Sequence, residues 1–174
     1  MIPVKTVVLG PPPKELEELI QRRRALGLDG FDEVWEGSYH VAPMAHPRHG
    51  YLQIAVALLL HPYAEAARLI ESGPFNLGHR DDFRVPDLGY WREPPDALYV
   101  DTATIVVEIL SPDDETYDKM PFYAAHGIAE VFVVDPDDRK VRMFLLQGDH
   151  YAETDRSHLL AVNSQTLESA ISWP

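Results

Sequence analysis

The chain has 174 residues and 45% hydrophobic content, enough for one domain with a real core. Its formal net charge of −13 argues against a broad basic surface for nucleic acid, because phosphate contacts need Lys or Arg. It has no cysteine, which excludes disulfides and thiolate metal sites, and no apolar run near the roughly 20 residues of a membrane span. A local basic groove stays open: Arg22, Arg23 and Arg24 are adjacent, and Arg80 and Arg84 lie close to the carboxylates discussed below. Residues 1–10 lack the long apolar segment of a signal peptide, and the absence of cysteine makes a reducing cytoplasm the expected location.

Pro11, Pro12 and Pro13 lead into a helical pattern over 14–26. Leu16, Leu19 and Ile20 form its apolar stripe, and Gly27 or Gly30 ends it. Residues 33–41 alternate as a strand, with Val34, Glu36, Ser38 and His40 on one face. Pro47 opens a second helix whose packing face is expected to hold Tyr51, Ile54, Ala55, Leu58 and Leu59. Pro62 is expected to kink or interrupt it, with helix resuming through Leu69 and Ile70. Gly73-Pro74 is a break, after which strands are predicted over 75–77, 82–90, 97–100 and 104–110. A short helix over 116–126 ends at Gly127, and strands over 130–134 and 140–146 flank a turn at 135–138. Short strands and a final helical turn complete the chain. The order predicts an α/β fold, a mixed β-sheet flanked by helices. No Gly-rich phosphate loop stands at a strand–helix junction.

Glu108 is the residue that fits an apolar core least. It interrupts Thr104-Ile105-Val106-Val107-Glu108-Ile109-Leu110, a run with the pattern of a strand covered on both faces. A carboxylate there costs several kcal/mol to desolvate unless a cation pairs with it, either a metal or an arginine at the sheet rim. Asp87 precedes it by 21 residues, room for adjacent strands to bring the two together; the alternative is a turn residue after Pro86. Two close carboxylates repel unless a hard cation lies between them, and magnesium suits such an oxygen site. Lys119 opens the helix after the Glu108 strand, where it would fold back over the strand end or remain a solvated lysine. Asp118 beside it is either a ligand or a first-turn acidic residue. His40, His46 and His49 match no standard zinc spacing. His49 and Glu36 are accessory candidates, the first as proton shuttle or phosphate contact, the second as a further carboxylate. Arg84 is a weaker candidate for substrate contact.

Taken together, Val85-Pro86-Asp87-Leu88, Val106-Val107-Glu108-Ile109-Leu110-Ser111-Pro112, Asp118-Lys119 with Tyr123 and Gly127, and Glu130-Val131-Phe132-Val133-Val134-Asp135-Pro136 resemble the Uma-type (DUF820-like) family of putative restriction endonucleases within the PD-(D/E)XK superfamily. Trp35-Glu36-Gly37 and Pro47-Arg48-His49 resemble that family's opening segment. The resemblance implies a restriction-endonuclease-like domain over 1–174: a helical segment over 1–30, a nuclease core over 31–146 and a C-terminal extension over 147–174. It implies a magnesium- or manganese-dependent endonuclease acting on nucleic acid, DNA above all, as a homodimer. Asp87 and Glu108 match the metal-binding carboxylates, and Lys119 takes the lysine's role. In the simplest motif that lysine stands two residues after the second carboxylate, where this chain has Leu110. The displaced lysine and the acidity keep an inactive binding or regulatory module open as the alternative. A metal-dependent hydrolase of small phosphoesters is a further one.

Overall fold

The structure, a computed structural model, describes residues 13–42, 46–112 and 115–174. Pro11, Pro12 and the 1–10 segment lie outside them. Helix α1 (Lys14–Ala25) starts from Pro13 as its N-cap. At its end Gly27 has φ +64°, and Leu28 N and Gly27 N donate to Arg23 O and Arg24 O, the paired bonds of a Schellman close. Leu16 and Ile20 are half-buried and Leu19 is exposed, so α1 lies on the surface.

The expected strand over 33–41 is instead a hairpin, β1 (Glu33–Trp35) and β2 (Ser38–His40). Glu36 and Gly37 have φ of 48° and 83°. Two consecutive positive values make the two-residue loop that matches strand twist.

Helix α2 (Pro47–Ala66) has His46 as its N-cap, whose ring nitrogen accepts from Arg48 N. It runs through Pro62 without interruption. Leu58, whose carbonyl loses its donor there, is 70% exposed and Pro62 is exposed too, so water can serve that carbonyl. The packing face is Leu52, Val56, Leu60 and Ala64, not the predicted one, and Tyr51, Ile54 and Leu58 face outward. A helix apolar on all sides does not reveal by periodicity which side it buries. Leu69 and Ile70 do not resume the helix; Ile70 opens β3 (Ile70–Ser72).

Strands β4 (Asn76–His79), β5 (Asp82–Arg84), β6 (Leu88–Trp91), β7 (Tyr99–Val100) and β8 (Ile105–Ile109) follow. A 3-10 turn over Thr116–Lys119 runs into α3 (Met120–Ala125), and β9 (Glu130–Asp135), β10 (Lys140–Gln147), β11 (His150–Thr154) and α4 (Ser164–Ala170) complete the chain. The predicted strand over 82–90 divides at Pro86, which cannot donate to a ladder. Its halves join different sheets.

The architecture is the expected mixed α/β class, built as two sheets rather than one. One has the order β2-β1-β5-β4-β7, the other β11-β10-β9-β8-β6-β3. In the second, β8 lies between parallel β9 and antiparallel β6. Ile105, Val107 and Ile109 join a core with Leu52, Val56 and Leu60 of α2. Val106, on the opposite face, packs with Tyr123 of α3, Val131 and Val133. The 147–174 stretch, expected as an extension, supplies edge strand β11 and the core residues Leu160, Val162, Leu167 and Ile171.

Candidate active site

Leu88 of β6 is registered against Val107 of β8, so Asp87, the residue before Leu88, lies near the end of β8 that carries Glu108 and Ile109. Asp87 Oδ2 accepts the backbone N–H of Ile109 at 2.7 Å, and its own carbonyl accepts Gln53 Nε2 at 2.7 Å. His49, from the first turn of α2, brings Nε2 to 3.2 Å from the same carboxylate oxygen. Asp87 is thus held from α2 on one side and β8 on the other.

Period-two alternation puts Glu108 on the α3 face of β8, where it is 3% exposed. Tyr123 of α3 donates its hydroxyl to Glu108 Oε1. Lys119 Nζ lies 3.1 Å from the same oxygen. The second anionic partner of Lys119 is Glu33 of β1, whose Oε1 is 2.9 Å from Nζ. Glu33 Oε1 also accepts Val85 N at 2.7 Å, and Oε2 accepts Trp35 Nε1 at 2.6 Å.

Burial pushes the Glu108 carboxyl above the ordinary carboxylate range, opposed by the Lys119 ammonium and the Tyr123 hydroxyl. Burial also works against the charge on Lys119, but Glu108 and Glu33 together outweigh it and raise its pKa. The lysine is therefore an ammonium at any physiological pH. Tyr123 is pushed far above its usual value by burial first and by Glu108 and Glu33 next, so it remains a hydrogen-bond donor.

Lys119 thus pairs with Glu108, and Asp87 is bonded to the next residue of β8, Ile109, with His49 beside it. Glu36 does not join them: it sits exposed on the hairpin loop, its N–H donating to Asp82 Oδ1 at 3.1 Å. Arg84 does not face a substrate groove either. It is 4% exposed, donates to Val34 O and Asp82 Oδ1, and lies over the Trp35 and Phe122 rings at 4.5 and 4.1 Å. The guanidinium is a buried stacking element whose hydrogen bonds go to neighbouring protein atoms. Arg23 likewise turns to its own neighbourhood, binding both oxygens of Asp32 at 2.8 Å. Asp118 is exposed, and Leu110 packs against the α3-side core.

Glu33 was missed because a continuous strand over 33–41 would alternate it away from the face of Glu36. The Glu-Gly pair at 36–37 was the available sign of a hairpin, which turns β2 back so that His40 pairs with Glu33. Gln53 left no sign in the sequence, being one polar residue in an apolar helix.

The donor set fits a hard divalent cation. The hydrogen bonds from Lys119 and Tyr123 to Glu108 both fall on Oε1, so Oε2 is the oxygen that would accept a cation. Among the described residues no three or more His, Asp or Glu side chains form a ready-made metal cage. Magnesium does not require one, since it commonly takes one or two carboxylates and keeps several waters.

The same fold occurs in a solved structure described as a putative nuclease belonging to DUF820 from Anabaena variabilis ATCC 29413. It matches with a TM-score of 0.65 over 80% of this chain and 90% of that one, at 19% identity. At that identity the likeness carries the fold, a mixed α/β class, and nothing further. The chain belongs to the Uma2 family, described as "Putative restriction endonuclease", whose model matches residues 21–172. No curated protein matches the sequence. Among the described residues no helix is long and apolar enough to cross a membrane.

Proposed function

We propose that this protein is a magnesium- or manganese-dependent endonuclease that hydrolyses phosphodiester bonds of nucleic acid, DNA in the first instance. It would act in the cytoplasm, as a single nuclease domain. The observation that carries the proposal is the Lys119–Glu108 ion pair at the end of β8, where Asp87 accepts the backbone N–H of Ile109. Family membership agrees with it.

Asp87 and Glu108 would hold the cation. A bound divalent metal supplies a water of lowered pKa and a positive charge against the phosphate oxygens. Asp87 is oriented for this by Ile109 N–H and Gln53, and Glu108 by Tyr123. Lys119 would orient the attacking water or offset charge developing on the phosphate, from a helix rather than from the strand. His49, beside Asp87, is suited to pass a proton to or from solvent. Two copies related by a two-fold axis would present one such site to each strand of a duplex.

Duplex DNA, RNA and a small phosphodiester, assayed side by side with magnesium, manganese and EDTA, test the proposal. Metal-dependent internal cleavage of DNA that Asp87→Ala and Glu108→Ala abolish is expected. Cleavage confined to the small ester would replace the substrate. A second reading, a binding module without activity, is favoured by Leu110 at the usual lysine position and by the net charge of −13. It requires nucleic-acid binding with no cleavage in any metal.

A further inference from the structure

We infer that Glu33 is a positioning residue that holds the ammonium of Lys119 against Glu108 and ties both to the strand end that carries Asp87. The inference extends the nuclease reading above to a residue on the other sheet. Three groups converge on the Glu33 carboxylate, and all three are donors: Lys119 Nζ at 2.9 Å, Val85 N at 2.7 Å and Trp35 Nε1 at 2.6 Å. The side chain is 10% exposed, so water does little to relieve a mismatch.

Only an ionised carboxylate answers all three. It offers two acceptor oxygens and no donor. A glutamine has one acceptor oxygen, and its amide would turn N–H groups towards N–H groups. An apolar residue would leave Lys119 with Glu108 as its remaining carboxylate partner in the described structure. The bond to Val85 N has a second consequence: Val85 lies two residues before Asp87, at the point where the chain leaves β5 for β6. One carboxylate thus sets the lysine and steadies the segment that delivers Asp87. Its role is exerted through Lys119 and Val85.

The test uses the full chain and an amine-acylating reagent, with labelling of each lysine read by mass spectrometry. Wild-type Lys119, 12% exposed, is expected to label far more slowly than Lys140, 57% exposed. Glu33→Gln and Glu33→Ala should raise Lys119 labelling by about tenfold, with Lys14 and Lys140 unchanged. Glu33→Asp, which keeps the charge, should fall between. Unchanged Lys119 labelling in the Gln and Ala variants, or an equal rise at all three lysines, overturns the inference. In DNA cleavage with magnesium, Glu33→Ala should lower kcat roughly 10–100-fold with KM unchanged. In a Lys119→Met background it should cost clearly less than in the wild type, leaving only the share that runs through Val85. Fully additive losses would overturn the inference. A wild-type chain that cuts no DNA would count against the nuclease reading and leave the labelling result to decide the role of Glu33.

Discussion

Lys119 Nζ stands 3.1 Å from Oε1 of Glu108, an ion pair formed where both side chains are almost wholly out of water. Removing one partner of such a pair leaves a buried, uncompensated charge, which costs about 3–5 kcal/mol. Lys119→Met is expected to lose stability on that scale near neutral pH. The sign with pH follows from Glu108, whose pKa is already raised by burial in the native protein. A raised native pKa means that the folded state binds the proton more tightly than the unfolded one, so stability is greatest at low pH and falls as pH rises. Without the ammonium that raise grows. The deficit of Lys119→Met should therefore shrink as pH falls towards the unperturbed carboxyl value of 4.5. Urea melts of both proteins across this range check it; a deficit independent of pH would contradict the pairing.

Tyr123 is fully buried and gives its hydroxyl to the same oxygen. Tyr123→Phe keeps the ring in the α3-side core and removes only the donor. A stability loss of about 1–3 kcal/mol is expected, the usual cost of a buried acceptor losing its donor. Cleavage should fall roughly tenfold or more, since Glu108 would no longer be held at one angle. Thermal melts and kcat measured on the same preparation check both; full activity would show that Tyr123 packs without orienting.

Four tyrosines, Tyr39, Tyr90, Tyr123 and Tyr151, have pKa values raised above the ordinary 10.0, each by burial first. Above pH 10.0 the unfolded chain would release these protons while the native chain keeps them. Native stability must then fall as pH rises past that point. The tyrosinate absorbance of these four is expected to appear in one cooperative step together with loss of secondary structure, separate from that of the exposed Tyr51 and Tyr117. Gradual titration of all eight tyrosines with the fold intact would contradict the burial of these four rings.

The sequence made Glu108 conspicuous because an apolar run long enough for a covered strand leaves a carboxylate in its middle unexplained. Asp87 was legible from family order, but its placement was not. Reading 82–90 as one strand hid the change of sheet at Pro86, which brings Asp87 alongside β8. Lys119 was legible only through the resemblance, since a lysine at the start of a helix is ordinarily solvated. Glu36 was misplaced because the hairpin turn reverses the alternation assumed for 33–41. The turn carries Glu36 into solvent, and β1–β5 pairing draws Arg84 beneath Trp35. The register of α2 was beyond the pattern, because residues 51–60 are apolar on every side apart from Gln53.

The most direct test is a manganese titration of the purified protein followed by electron paramagnetic resonance, with Asp87→Ala and Glu108→Ala in parallel. Manganese stands in for magnesium at an oxygen site. The wild-type chain should bind the ion saturably, magnesium should displace it, and each substitution should weaken binding by about tenfold or more. Equal manganese affinity in all three proteins would contradict the assignment of Asp87 and Glu108 as the metal-holding pair.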